Sequence, residues 1–355
     1  MYLCDTTLEF ADLCQRAGAF SYSTGAAQIA DKIKSATHRH MINDDVVVAV
    51  LDGIYRNPKA MTECLSVIRI PWRRAWFEWD DRIAMEVHDR WRDGPMPEDR
   101  SRPKRCGFLI ETDETGRSGK IWVCWPSQIN GMPNKEGVAM QIPEVTFDLD
   151  LYKPGQVIDD ELSNEIIGVN QLRRYDLNNT LPINCTFPKD EEDPTRVYRT
   201  AVVSTIRMQW SENSIRAATA IANMTRKQIN WGNIIQNTLY DIMSELMMVF
   251  PLVAIMTAKK AVETKDESRS KINKNRIRQA KTELLDHIVV SMNITSEERK
   301  VLLDHAMGRG GYSGPRRTHW VVGHFMVLRG EPIWRRFHLR RGIGDQPATK
   351  TVLLK

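Results

Sequence analysis

The sequence predicts an α+β fold, in which a helical N-terminal segment, a mixed β-sheet, central helices and a C-terminal antiparallel β element follow one another. Three observations carry this prediction. Apolar residues recur at helical spacing near the N-terminus, aromatic residues at strand-like spacing dominate from Val67, and the most hydrophobic run lies between Met247 and Met256. With 355 residues and 42% hydrophobic content, the chain can bury a full core.

The predicted organisation has four parts. The periodicity assigns residues 1–66 to a helical segment, 67–200 to a β-rich domain, 201–263 to a second helical segment and 271–355 to a basic α+β domain. The stretch from His38 to His40 is polar and is predicted to be a loop. A metal site there is disfavoured because no second cluster of ligands accompanies it.

Capping residues and apolar spacing place the helices. Leu8–Ala19 has helical spacing, and Asn43 is a good N-cap for a helix that continues through Leu51. An apolar helix is predicted from about residue 234 to 261, with a bend at Pro251. Its ten-residue hydrophobic run is too short to span a bilayer, so we predict a core helix and no membrane association. Ser296–Met307 is predicted to be a capped helix.

Short-period aromatic runs predict the strands. Ile68–Trp79 is expected to form one strand, and Gly107–Thr112 and Lys120–Trp125 a hairpin joined through residues 116–119. Shorter strands are predicted at Val145–Leu151, Asp286–Asn293 and Thr349–Leu353. The tryptophans of the aromatic runs could stack on bases, but tryptophans in strands more often pack a core, and packing is favoured here.

Cysteine usage and missing motifs limit the chemistry. The six cysteines are scattered without a C-x-x-C pair, and the N-terminus has no signal-peptide pattern, so we predict reduced thiols in a cytoplasmic protein. The sequence has no Rossmann glycine fingerprint, Walker lysine, H-E-x-x-H or G-x-S-x-G motif. We therefore predict no cofactor and no metal, and we favour a binding function over an enzymatic one.

Positive charge is concentrated towards the C-terminus. From Lys300 onward, eleven Lys and Arg stand against three Asp and Glu, a local charge of +8 that leaves −3 for residues 1–299 of the net +5. A second basic stretch, Lys271–Lys281, holds five cations in eleven residues. This asymmetry indicates an anionic partner such as nucleic acid, although a solvated basic face accounts for it equally well.

The stretch Arg316–Gly342 predicts a β-hairpin around Arg329-Gly330-Glu331-Pro332. With Gly330-Glu331 or all four residues as the loop, Leu328 opposes Ile333 and Met326 opposes Arg335. Alternation then sends to the core Trp320, Val322, His324, Met326, Leu328, Ile333, Phe337 and Leu339. The other face is cationic and aromatic, with His319, Val321, Gly323, Phe325, Val327, Trp334, Arg336, His338 and Arg340.

The two histidines of the cationic face are the candidates for catalysis. In this register His319 and His338 are about four residues apart along the ladder, on the order of 13 Å, too far to act on one atom. The candidate nucleic-acid-binding residues are Arg316, Arg317, Trp334, Arg336, His338, Arg340 and Arg341 of the hairpin, with Lys271, Lys274, Arg276 and Arg278.

Three separated stretches resemble an uncharacterised family of proteins encoded by bacteriophages and prophages, to which no activity is assigned. They are the Ile70-Pro71-Trp72 to Trp79 element, the Lys271 to Arg276 element, and His319-x-Val321-x-Gly323-His324 with Trp334 and His338-x-Arg340-x-Gly342. The resemblance covers most of the chain in order and implies a phage protein in the bacterial host cytoplasm. This chain departs from the family at Val322, where similar proteins have arginine, and at Gln279-Ala280, where they have Gly-Lys.

Three functions fit these observations. The favoured one is a phage nucleic-acid-binding protein acting in DNA or RNA metabolism or in host takeover, for which a basic groove joining the hairpin to Lys271–Arg278 would be strong support. The second is a virion or host-factor interaction protein whose basic hairpin meets an acidic protein surface. The third is a metal-independent nuclease in which His338 or His319 is the acid or base and Arg336 and Arg340 hold the phosphate.

Overall fold

The computed structural model describes residues 1–16, 20–91, 105–129, 132–141, 144–153, 195–209, 219, 231–306, 319–321, 323–336 and 338–340. Within these residues it confirms the α+β class. The helices are α1 (Leu3–Arg16), α2 (Phe20–Ser35), α3 (Asp44–Arg56), α4 (Pro58–Val67), α5 (Asp81–Trp91), α6 (Arg196–Thr205), α7 (Trp231–Thr257), α8 (Ser270–Arg278) and α9 (Ser296–Ala306). The predicted strand at Thr349–Leu353 lies outside the described residues.

Most of the strands belong to one sheet. The strands are β1 (His38–Ile42), β2 (Arg74–Asp80), β3 (Arg105–Thr112), β4 (Ser118–Ile129), β5 (Met132–Met140), β6 (Glu144–Asp148), β7 (Ile206–Gln209), β8 (Val262–Glu267), β9 (His287–Met292), β10 (His319–Val321), β11 (His324–Leu328), β12 (Glu331–Arg335) and β13 (His338–Arg340). The sheet has the order β7-β6-β4-β3-β2-β1-β9-β8, and β5 also pairs with β4. Strand β1 is parallel to both β2 and β9, and the other pairs are antiparallel.

Helices cover both faces of this sheet. On one face α1 and α2 pack Leu3 and Ile33 against Trp76 and Leu109. On the other face α3 to α7 and α9 form the larger core, to which β2 contributes the alternate residue Phe77. Strands from all four predicted segments enter the same sheet, so the boundaries near residues 66, 200 and 263 do not divide it.

The predicted β3–β4 hairpin and the predicted helices around Pro251 and after Thr295 are confirmed. Strands β3 and β4 form the expected hairpin, in which Glu111 pairs with Lys120 and Gly116 has a φ of +69°. Helix α7 contains Pro251, and α9 begins with a capping box in which the Thr295 amide donates to the Glu298 carboxylate at 2.7 Å. Five cysteines in the described residues are buried free thiols. No described helix is both long and apolar enough to cross a membrane.

The loop predicted at His38–His40 is wrong, because these residues belong to β1 in the middle of the sheet. Strand β1 is five residues long, and its local sequence has little strand propensity. What makes it a strand is pairing on both sides, for example of His40 with Phe77 and with Ile288. Such long-range pairing leaves no trace in a short polar stretch.

The register predicted for the C-terminal hairpin is wrong by two residues. Leu328 pairs with Glu331 and Met326 with Ile333, so the turn consists of Arg329 and Gly330. Both turn residues have positive φ, +54° and +79°, as a two-residue type I′ turn requires. The glycine therefore occupies the second position of a two-residue turn, and neither predicted loop, Gly330-Glu331 or the four residues 329–332, matches it.

The faces of this hairpin are also the reverse of the prediction in β11 and β12. Trp334 is 7% exposed and Val327 packs beside it on the main core, although both were assigned to the cationic face. Leu328 and Ile333, which were assigned to the core, are 49% and 36% exposed. The alternation itself was correct, but the sequence did not reveal which face the body of the protein covers.

A buried carboxylate joins the sheet to α1. Glu78 is fully buried on β2, and its carboxylate accepts hydrogen bonds from the amides of Leu3 and Cys4 at 2.6 and 3.1 Å. It also accepts from Trp76 Nε1 at 3.1 Å and from Arg105 Nε at 2.5 Å. The two amides belong to the first turn of α1, where the helix dipole favours a negative charge.

We expect Glu78→Gln to lower the free energy of unfolding by about 3–5 kcal/mol, because it leaves Arg105 without its buried counter-ion and removes one acceptor from the α1 terminus. The matched control is Glu144→Gln, since Glu144 pairs with the half-exposed Lys120 and its loss should cost less than about 1 kcal/mol. Urea denaturation of both variants measures the difference. Equal losses would contradict the role assigned to Glu78.

Candidate nucleic-acid interface

Helix α8 lies entirely on the surface. It is nine residues long, contains no buried residue, and leaves Ile272 and Ile277 45% and 56% exposed. An isolated helix of this length is not stable in water. Apolar packing therefore does not account for its position, and other contacts must hold it.

Polar side chains anchor α8 to the protein backbone. The side chain of Asn273 donates from Nδ2 to the Leu284 carbonyl at 2.8 Å, and its Oδ1 accepts from the backbone amide of Leu284 at 2.9 Å. A neighbouring β-strand would pair with Leu284 in the same way. Arg276 donates to the Thr282 carbonyl at 2.7 Å and forms an ion pair with Glu9 of α1. Because hydrogen bonds to backbone groups are directional, these contacts fix the orientation of this side of the helix.

The C-terminal end of α8 is closed by a Schellman turn. The Lys281 amide donates to the Arg276 carbonyl at 2.9 Å and the Ala280 amide to the Ile277 carbonyl at 3.0 Å. Ala280 takes the left-handed position of this motif with a φ of +52°, where glycine is the usual residue. The helix therefore stops at a defined point, directly before the exposed Lys281.

The side of α8 opposite the anchors is basic. At 3.6 residues per turn, the mean direction of Lys271, Lys274 and Arg278 lies roughly 160° from the mean direction of Asn273 and Arg276. All three cations are exposed. Lys271, Lys274 and Arg278 are called the basic stripe below.

No residue of the basic stripe forms an ion pair with any other described residue. Nearby cations differ in this respect, because Lys265 pairs with Glu267 and Arg276 with Glu9. Arg276 belongs to the predicted nucleic-acid-binding set, but its contacts with Glu9 and Thr282 make it an anchor. The stripe thus keeps its full charge available for an anionic partner.

The hairpin residues of the predicted interface have different positions. Trp334 is buried in the core, so its ring does not face solvent. Arg336 is exposed. The backbones of His338 and Arg340 lie in β13. Arg316, Arg317 and Arg341 lie outside the described residues.

Two exposed cations of the hairpin are absent from the predicted set. Arg329 lies in the turn and Arg335 follows Trp334 on the solvent side of β12, and both are exposed. The arginine–glycine pair could have identified Arg329 as a turn residue, because turn residues are usually exposed. Arg335 shares a face with Ile333 in both registers, and alternation does not say which face the protein covers.

The same register brings the two candidate catalytic histidines closer than predicted. His319 pairs with Arg340 and Val321 with His338, so the histidines are diagonal neighbours of the ladder instead of four residues apart. Diagonal positions are separated by roughly 7–8 Å. Their spacing therefore no longer weighs against the nuclease hypothesis, which stays a prediction.

The two basic regions lie on opposite faces of the sheet. Helix α8 is bound to α1 through Arg276 and Glu9, whereas the hairpin packs on α3, α4 and α7. The described residues therefore form no single groove joining the hairpin to Lys271–Arg278. The described residues of the predicted nucleic-acid-binding set are therefore divided between two separate regions.

In comparisons with known proteins, no family model, no curated protein and no solved structure matches the chain. In the part of the chain that the structure describes, the architecture is that of an α+β protein with a nine-stranded mixed sheet, helices on both faces and a surface helix held by polar contacts.

A pair of buried carboxylates forms a second chemical feature of the fold. Asp81 and Glu245 are 7% and 6% exposed, and each accepts a hydrogen bond from an indole, Trp79 Nε1 at 3.0 Å and Trp125 Nε1 at 2.9 Å. Burial, followed by the charge of Glu245, raises the pKa of Asp81 from 3.8 to about 7. Such a group could exchange protons near neutral pH, but both carboxylates are enclosed by core side chains, so we rank the pair below α8.

Asp81 should make the stability of the protein depend on pH. Between pH of about 4 and about 7, the folded chain holds a proton on Asp81 that the unfolded chain has released, so the free energy of unfolding falls as the pH rises. We expect Asp81→Asn to remove this slope and to stabilise the protein above pH 7 by a few kcal/mol, on the order of 1.4 kcal/mol per pKa unit. Chemical denaturation at several pH values measures it.

Asp113→Asn is the control for the direction of this effect. Hydrogen bonds from Thr115 and Ser118 lower the pKa of Asp113 to about 2, so its contribution should be lost only as the pH falls below about 4. If Asp81→Asn keeps the wild-type slope between pH 4 and pH 7, the raised pKa is wrong.

Proposed function

We propose that this protein binds nucleic acid through the basic stripe of α8, as a phage-encoded protein acting in DNA or RNA metabolism or host takeover in the bacterial cytoplasm. One observation carries the proposal: Lys271, Lys274 and Arg278 occupy the solvent side of a helix whose other side is held by backbone-directed hydrogen bonds. The phage context rests on the resemblance of the three sequence stretches given above.

The dimensions of the stripe suit a phosphate backbone. From Lys271 to Arg278 it extends about 10 Å at 1.5 Å per residue. One nucleic-acid strand carries a charge about every 3.4 Å along its axis, so the stripe faces about three phosphates. Lys and Arg side chains at this spacing neutralise phosphates without selecting a sequence, and their binding is driven by release of counter-ions.

The mode of anchoring supports the same function. Since Asn273 and Arg276 bind carbonyl groups of the chain, the helix keeps its orientation when the cations meet a polyanion. The stripe also lacks a carboxylate, because residues 270–281 contain five cations and no Asp or Glu. No charge on the helix itself opposes an approaching phosphate.

The triple variant Lys271→Gln, Lys274→Gln, Arg278→Gln should weaken binding of oligonucleotides by roughly 10-fold to 100-fold near 50 mM salt. It should also make the slope of log K against log salt concentration less steep by about 2 to 3, because about three phosphate contacts are lost. Fluorescence anisotropy over a salt series measures both quantities.

A control of equal charge separates this contact from a general field effect. Lys34, Lys59 and Lys300 are exposed on three other helices, and their joint replacement by Gln changes the net charge by the same amount. The control variant should keep the wild-type slope. Equal slopes in the wild type and the α8 variant, or no wild-type binding at low salt, would contradict the proposal.

A second function, binding of a host or virion protein, is favoured by the outer face of the hairpin. Leu328 and Ile333 are exposed apolar side chains on neighbouring strands, and the exposed cations Arg329 and Arg335 flank them. An apolar pair with a basic rim suits a protein surface that combines apolar and acidic residues. This surface is separate from α8, so both functions are compatible.

Co-purification from infected bacteria tests the hairpin. A protein partner should stay bound after nuclease digestion and should be lost from the variant Leu328→Ser, Ile333→Ser, because the apolar contact is removed. The control is Leu151→Ser, Val197→Ser, which replaces two apolar residues that are exposed elsewhere by 40% and 63%. A partner released by nuclease would indicate contact through nucleic acid instead.

A further inference from the structure

An open cavity of about 690 Å³ lies where β1 and β2 begin, and the functions discussed so far do not use it. Its lining includes Thr37, His38, Trp72, Arg73 and Arg74. Small-molecule sites of proteins fall in the range of about 300–1,000 Å³ and combine aromatic walls with a few polar groups. The cavity therefore has the size and chemistry of a ligand site.

Trp72 provides an aromatic wall. Its indole is half-buried, and core rings support it, with the His40 ring centre at 4.9 Å and the Phe77 ring centre at 5.5 Å. The backbone at Trp72 is fixed as well, because Thr112 Oγ1 donates to the Trp72 carbonyl at 2.9 Å. A flat ligand would thus meet a ring that is already in place.

Arg73 provides a cation without a counter-ion. Its side chain is exposed and forms no ion pair or hydrogen bond within the described residues. The next residue differs, since Arg74 Nε donates to Glu111 at 2.6 Å, and Lys32 also pairs with that carboxylate. Glu111, the acid that lines the cavity, is therefore neutralised by two cations, which leaves Arg73 to meet an anion.

His40 lies behind the Trp72 wall and is unusual for a core residue. It is 3% exposed, and neither ring nitrogen has a hydrogen-bond partner among the described residues. An unpaired buried polar group costs about 1–3 kcal/mol, and a phenyl ring would fill the same space without that cost. Such a group in a native core calls for an explanation, and its ring lies directly behind the Trp72 indole that lines the cavity.

The cavity and α8 lie at the same edge of the sheet. Arg39 of β1 donates to the Asp286 carbonyl at 2.8 Å, and the Asp286 carboxylate accepts from the amide of Arg269, the N-cap residue of α8, at 2.5 Å. Strand β1 separates β2 from β9, so the cavity is about two strand spacings, roughly 10 Å, from the start of β9. A single nucleic-acid strand bound along α8 would therefore reach the cavity within a few nucleotides.

From these observations we infer that the cavity binds one unpaired nucleotide of a single-stranded nucleic acid, with the base stacked on Trp72 and its phosphate held by Arg73. This inference rests on the proposed function of α8 and names its substrate class. Stacking on an aromatic side chain beside a cation is how proteins hold single strands without sequence selection. A duplex keeps its bases stacked internally and cannot use this site.

Two variants and three oligonucleotides, a single strand, a duplex and an abasic strand, test the inference. Trp72→Leu and Arg73→Gln should each weaken binding of a single strand of about 12 nucleotides by about 10-fold, and should change duplex binding less than about 2-fold. Arg69→Gln is the matched control, because Arg69 is also exposed but lines a separate cavity. An abasic strand of equal length should bind the wild type as weakly as the normal strand binds Trp72→Leu.

The abasic comparison uses the wild type, so it decides the question even if Trp72→Leu fails to fold. Equal affinity of the wild type for normal and abasic strands overturns the nucleotide site. If the α8 triple variant loses binding in that same series, the proposed function stands without it. Absence of all wild-type binding at low salt overturns both.

Discussion

The buried carboxylate of Glu78 fixes where α1 begins, and through α1 it fixes where α8 lies. Because the amides of Leu3 and Cys4 donate to this carboxylate, the first turn of α1 is held on the face of β2. Asp5 then meets the Leu285 amide at 2.9 Å, and Glu9, one turn further on, meets Arg276. A charge buried in the sheet is costly, and four donors together with the helix dipole offset that cost.

Polar contacts fix the orientation of α8 without burying its apolar side chains, whereas apolar packing would do both together. A helix packed through Ile272 and Ile277 would bury those side chains and be stabilised by the apolar surface that is removed from water. Here both remain exposed, and the helix is stabilised by Asn273 and Arg276 bound to backbone groups. Orientation is therefore specified by hydrogen-bond geometry, while the opposite side of the helix is free to carry charge. Such a helix is suited to presenting side chains and contributes little to the core.

The elements that were predicted correctly are those whose conformation is stabilised by residues close in the sequence. Capping residues correctly placed the starts of α3 and α9, and aromatic alternation correctly placed the hairpin of β3 and β4. Strand β1 was missed because its five residues owe their conformation to β2 and β9, which are distant in sequence. The hairpin faces were reversed because alternation defines two faces but does not say which one the rest of the protein covers.

The candidate site illustrates the same limit for charge. Arg276 and Arg278 are two residues apart and identical in type, yet one has a carboxylate and a carbonyl as partners while the other faces solvent. Helical spacing could have separated them, because Asn273 and Arg276 share a side that excludes Lys274 and Arg278. The excess of +8 after Lys300 was a weaker guide. Binding to a polyanion depends on cations that share one face, and the sheet lies between α8 and the hairpin. Net charge along the chain cannot record that separation, which arises only when α1 covers one face of the sheet and α4 and α7 cover the other.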